Sequence, residues 1–159
     1  MGGFKLLVED KNFILRKLIS DQELCKALYY NETNFLDQPD IERTSQLIYR
    51  NIFPFNFIPS QEENEKRTYL TFQFRKFRPT NGFYKSGDIW INVFTNRDLY
   101  RTDYGVLRID FIIDKVDELL NGIEGISIGK LQLAEMDEIY VNQNYSGSYL
   151  IYKTYDFNK

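Results

Sequence analysis

The densest chemistry in this chain lies between Asn96 and Arg108, where Arg97, Asp98, Arg101, Asp103 and Arg108 crowd one short stretch. Guanidinium and carboxylate groups at that spacing can pair within the loop, for about 0–1 kcal/mol per exposed pair. They can also make bidentate contacts to another subunit, for which arginine is the favoured residue. With Asn96 and Tyr100 they form a candidate interface: Asn96, Arg97, Asp98, Tyr100, Arg101, Asp103 and Arg108. Mixed signs in one loop suit contacts that repeat around a ring. Other carboxylates carry less. Glu62, Glu63 and Glu65 lack the alternate acidic positions, central glycine and distal glutamate of a calcium loop, so they read as a solvated charge run. Asp137 and Glu138 fare little better.

Histidine is absent from all 159 residues. That removes the commonest general base, the triads that depend on it and the commonest metal ligand. A single cysteine, Cys25, leaves no intrachain disulfide and no thiolate zinc site. It falls among Leu24, Ala27 and Leu28 and reads as a small buried hydrophobe. The expectation is a protein without catalytic residues, cofactor or metal. A net charge of −3 argues against broad phosphate binding, which needs a basic domain. Met1 to Glu9 holds no apolar core of signal-peptide length, and no apolar run approaches the roughly 18 residues of a membrane span. The expectation is a soluble, cytosolically made chain with no membrane partner.

The elements that position the charged loop follow from periodicity. Ile89, Ile91 and Val93 alternate with Trp90, Asn92 and Phe94, which predicts a strand covered on both faces. Ile109, Ile112, Ile113, Val116, Leu119 and Leu120 recur at helical spacing, and Asn121-Gly122 supplies a stop. Upstream, Leu70, Phe72 and Phe74 face one way and Tyr69, Thr71, Gln73 and Arg75 the other, predicting a half-exposed strand. Its aromatic residues invite an RNA-stacking reading, but Phe72 and Phe74 share a face with Leu70, and the net charge is wrong. Gly122, Gly125 and Gly129 follow a helix instead of opening one, so they make no phosphate loop.

Phe4 to Ser20 carries a helical stripe, and Ser20-Asp21-Gln22-Glu23 has the spacing of a capping box opening a second helix to about Tyr30. Asn31 to Ser60 contains Pro39, Pro54 and Pro59. It predicts a short helix over 41–49 and an extended apolar segment over 52–59. Lys76 to Asp88 joins two strands through a projecting hairpin. Ile126, Ile128, Leu131 and Leu133 predict a third strand. Tyr140 to Tyr155 predicts a fourth, interrupted near Asn144. The fold class is α+β: a largely antiparallel sheet of about four strands packed by a long helix, with an N-terminal helical hairpin. Length fits one domain, with 1–60 a helical and extended elaboration and 66–157 the sheet-plus-helix core.

Together, ILRKLISDQELCKALYYN, FLDQPDI, NIFPFNFIP, KRTYLTFQF, IWINVFTNRDLYRTDYGVLRIDFIIDKVDELLNG and the closing strand pair resemble small neck proteins of tailed phages from low-GC Gram-positive hosts. The similarity runs over roughly Ile14 to Tyr155 and is greatest to the tail terminator (tail completion) and head–tail joining group. The resemblance implies an α+β subunit in a homomeric ring, commonly a hexamer, that caps the tail tube and docks to the head connector. The protein would then reside in the virion neck, assembled in the host cytoplasm, with DNA only as passing cargo. It implies no catalytic residues, and its match at Asn96 to Asp103 supports the loop as interface. A head–tail adaptor or stopper ring, a phage-encoded protein-binding module and a carboxylate-based nuclease subunit are the rival readings.

Overall fold

A computed structural model describes residues 4–60, 65–80, 83–124 and 129–155. Helix α1 (Lys5–Ile19) and helix α2 (Gln22–Tyr29) form the expected N-terminal pair. The cap between them differs from the capping-box expectation. The carboxylate of Asp21 takes the Leu24 amide at 2.9 Å, so Asp21 is the N-cap of α2, in extended backbone as a cap requires. Ser20 closes the helix before it, donating its hydroxyl to the Lys17 carbonyl.

A short 3₁₀ turn at Thr44–Leu47 stands where a helix was expected over 41–49, and another at Phe35–Asp37 precedes it. The sheet then comprises β1 (Ile52–Phe53), β2 (Thr68–Thr80), β3 (Phe83–Asn96), β4 (Lys130–Asn142) and β5 (Tyr145–Tyr155), in the order β1-β2-β3-β5-β4. All pairings are antiparallel except the short parallel one of β1 on Leu70 and Thr71. The architecture is therefore the α+β one expected, with a fifth strand that no period in the sequence announces. Ile126 and Ile128 lie outside the described residues, and the strand near them runs on through Tyr140 to Asn142. In β5, Gly147 sits where an added Cβ would fall 1.9 Å from the Val93 carbonyl oxygen, so the close approach of β5 to β3 admits only glycine there.

Helix α3 (Arg108–Leu120) lies on one face of the sheet beside α2. Ile109, Ile112, Val116 and Leu120 are buried against Leu70, Phe72, Ile89, Ile91, Val93 and Tyr152, and Ile14, Leu18, Leu24 and Leu28 of the N-terminal helices share the same core. Phe74 and Ile113, expected within it, are only partly buried at its rim. Gly122 at φ +81° turns the chain out of α3, as the Asn-Gly stop predicted.

The opposite face is partly covered too, which the half-exposed reading of β2 did not foresee. The extended segment after β1 crosses it, stacking Phe57 on Phe53 (4.1 Å between ring centres) and bringing both to Tyr69. Phe53, Tyr69, Phe94 and Tyr145 thus form a second, aromatic cluster, and Asn142 holds the segment's end through the Pro59 carbonyl. Tyr69 and Thr71 are consequently buried.

Candidate functional site

The charged loop leaves β3 at Asn96, makes a 3₁₀ turn at Arg97–Leu99 and enters α3 at Arg108. The Asn96 side chain caps that turn, accepting the Asp98 amide at 3.0 Å, and is itself nearly buried. Leu99 anchors the turn in the core. Tyr100 is half-buried and shares a 2.8 Å hydrogen bond with Ser146 of β5, and burial pushes its phenol pKa up. The amide of Asp103 donates to the Thr33 carbonyl at 3.0 Å, and the Arg97 amide to Asn144 at 2.9 Å. The loop is pinned at several points along its length.

Arg108 departs most from expectation. It is fully buried and offers nothing to another subunit. Nε donates to the Leu99 carbonyl (2.8 Å), Nη1 to Ala27 (2.7 Å) and Tyr30 (2.8 Å), and Nη2 to Asn31 (3.3 Å) and Glu32 (2.9 Å). Every guanidinium N–H has an acceptor, and the plane lies 4.8 Å over the Phe35 ring. Burial draws its pKa down to about 10, still far above neutrality, so the group remains a cation. Its work is to close the C-terminus of α2, whose last carbonyls have no helical partner, and to tie that end to the loop. A sequence signal existed: Tyr29-Tyr30-Asn31 offers no glycine to cap α2, so a donor had to come from elsewhere.

What the loop shows to solvent is therefore narrower than the seven residues expected. Arg97, Asp98, Arg101 and Asp103 are exposed. Asp98 is engaged by Lys66 at 2.7 Å, a contact that holds its carboxyl pKa below the usual value. Among the described residues the side chains of Arg101 and Asp103 have no ion pair, and beside them Val106 and Leu107 are 45% and 48% exposed.

A second surface was not anticipated. On the sheet face away from α3, Arg75 of β2 lies 4.6 Å over Trp90 of β3, Trp90 stacks with Tyr149 of β5, and Tyr149 donates to Glu135 of β4 at 2.6 Å. That last hydrogen bond pushes the Tyr149 phenol pKa up to about 12. Between this row and the crossing segment lies an open groove of about 260 Å³, walled by Phe57, Ile58 and Ile139 and floored by Gln73, Trp90 and Asn92. The buried indole N–H of Trp90 has no hydrogen-bond partner among the described residues.

Cys25 is buried, with its pKa pushed up to about 12 by burial. Glu62 and Glu63 lie outside the described residues. Glu65 pairs with Arg67, and Asp137 and Glu138 are exposed on β4. Among the described residues no group of three or more acidic or cysteine side chains could hold a metal ion, and no helix is long and apolar enough to cross a membrane.

No curated protein and no solved structure matches this chain. A family model does, over residues 21–154, from the cap of α2 to the penultimate residue of β5. Helix α1 precedes the matched region, and the charged loop, the groove and all of the sheet but the last residue of β5 lie within it. The chain belongs to the YomW family, a phage-derived family named for a protein of a Bacillus prophage.

Proposed function

We propose that this protein is a structural component of a tailed-phage neck. Copies of the chain form a ring, a hexamer on the family resemblance, that terminates the tail tube and joins it to the head connector. The observation that carries the reading is the outward part of the loop. Among the described residues Arg101 and Asp103 make no ion pair, and they lie beside exposed Val106 and Leu107, on a loop fixed by hydrogen bonds to Thr33, Asn144 and Ser146. A preorganised patch of apolar and unpaired charged groups suits a protein contact, since little ordering entropy remains to be lost on binding. Membership of a phage-derived family supports the setting. The lack of histidine supports a role in assembly without catalysis, in which DNA is only cargo.

Native mass spectrometry of the purified chain, alone and with isolated tail tubes, tests this. The expected result is a closed oligomer of one stoichiometry that caps one end of the tubes. A chain that stays monomeric at every concentration and ignores the tubes would overturn it. That outcome would favour a small protein-binding module, for which the groove beside Trp90 offers an apolar wall and an unused hydrogen-bond donor.

A further inference from the structure

The sheet ends in two edges of opposite charge. At one side, β1 covers β2 only at Leu70 and Thr71. From Gln73 to Lys76 no described residue hydrogen-bonds to the outer backbone edge of β2. This half of the strand carries Arg75, Lys76 and Arg78, all exposed, with no acidic residue from Lys66 to Thr80. At the other side is β4. Its first residues are covered, since Gly122 and Ile123 bond the Leu131 backbone and Asn121 takes the Leu133 amide. Beyond them no described residue outside β4 hydrogen-bonds to the outer backbone edge. Gln132 to Glu138 are all exposed, so neither sheet face covers them. The Glu138 amide finds only the carboxylate of neighbouring Asp137, at 2.8 Å. This edge carries Glu135, Asp137 and Glu138, together with Met136 (52% exposed) and Tyr140 (78% exposed).

Bare strand edges invite pairing with another chain, and proteins guard them with charge and bulges. Both guards are present here. β2 is bulged between Arg75 and Pro79, with Lys76 at φ +58°, and β4 is bulged at Ala134 and Val141. The charges forbid each edge from pairing with its own kind, because acid would face acid or base would face base across the ladder. They do not forbid β4 from pairing with β2.

We propose that the acidic β4 edge of one copy pairs with the basic β2 edge of the next, so that the sheet continues from subunit to subunit. The inference rests on the assembly reading above and names its partner surfaces. Strand directions agree with it. β2, β3, β5 and β4 alternate in sense, so a neighbour carried round an axis along the strands sets its β2 antiparallel to β4, the commoner pairing. Gln73, Trp90, Ile151 and Glu135 lie at one level across the sheet. An offset of about two to four residues, the kind of stagger that closed sheets require, brings Glu135 and Asp137 beside Arg75 and Arg78. The contact is heterologous, so it closes into a ring or runs on as a filament, and it cannot end as a two-fold dimer.

Two charge-swapped chains test the pairing: D137K/E138K on β4, and R75E/R78E on β2. Both spare the Tyr149–Glu135 bond, and circular dichroism checks that each folds. By light scattering and native mass measurement, each alone should run as a monomer at concentrations where the wild type assembles. Mixed in equal amounts they should assemble again, with the two chains alternating, because every interface then joins opposite charges. Variants that assemble alone as the wild type does would overturn the edge pairing while leaving the assembly reading in place. Variants that separate but stay separate on mixing would overturn it as well, since these charges would then act elsewhere. A wild type that never assembles would overturn both.

Discussion

Arg108 shows how one residue can hold three segments in register. Its donors reach α2, the turn after α2 and the turn after β3, so the loop that carries Arg101 is positioned by a buried cation. Replacing it with methionine would keep much of the packing volume and strand five carbonyls without donors. A buried acceptor left unsatisfied costs about 1–3 kcal/mol, and shared relaxation keeps the sum below five times that. Arg108→Met should lower stability by about 3–5 kcal/mol in urea unfolding. Arg108→Lys should also lose more than about 1 kcal/mol, because an ammonium cannot reproduce the fork. At the surface nearby, the hydrogen bond and charge of Lys66 hold the Asp98 carboxyl below its ordinary pKa of 3.8. The sign follows: an acid whose folded pKa is depressed contributes stability above the unfolded pKa and loses it as pH falls through the lower folded value. A carboxyl carbon titration by NMR should place Asp98 below 3.8, and Lys66→Met should return it toward that value. A midpoint unchanged by the substitution would mean that Lys66 does not hold the carboxylate in solution.

At the scale of elements, burial separates neighbours that hydropathy treats alike. Ile112 and Ile113 occupy adjacent places in α3, yet Ile112 is fully buried and Ile113 sits at the rim. Removing a fully buried isoleucine side chain to the Cβ costs about 2–5 kcal/mol through lost burial and the remaining cavity. Ile112→Ala should fall in that range, and Ile113→Ala well below it. Equal losses would mean that α3 is rotated on the sheet. Period alone placed α1, α2, β2, β3 and α3, because each has an apolar stripe that one partner covers. It failed where a neighbour decides. β1 is two residues of extended chain made a strand by Leu70 and Thr71. The outward face of β2 is closed by Phe53 and Phe57 from a proline-broken segment with no period of its own. Arg108 looked like a surface residue because its position in the charged run hid its place in the first turn of α3, facing the end of α2. The exposure of Arg101 and Asp103 was legible from their charge, whereas exposed Val106 and Leu107 were not, because apolar side chains in a loop read as buried until the anchors around them are known. The groove beside Trp90 was not legible either, since its two walls come from segments more than 80 residues apart.

For the whole molecule, the charged loop lies at the end of the sheet where Thr68, Asn96 and Tyr145 meet, and the acidic strand β4 and the basic half of β2 lie at its opposite sides. In the proposed assembly such a subunit builds by head-to-tail repetition, and each broken contact is repeated at every interface of the ring. Arg101 is an exposed loop cation that makes no ion pair among the described residues. In the proposed ring, Arg101→Glu would set a carboxylate where the neighbour would present one to the arginine. Truncating or reversing such a charge costs about 2–5 kcal/mol per contact when the pair is desolvated. That should dissociate the ring at concentrations where the wild type remains closed, while the far-ultraviolet circular dichroism and the urea midpoint of the subunit stay unchanged, because the side chain makes no contact with the core. Raising salt should loosen the wild type in the same direction, since screening acts on the contacts the variant removes. Size-exclusion with light scattering on the two proteins, at low and high salt, measures this directly. An oligomer indifferent to both the reversal and salt would place the subunit contact away from the loop, on apolar surface alone.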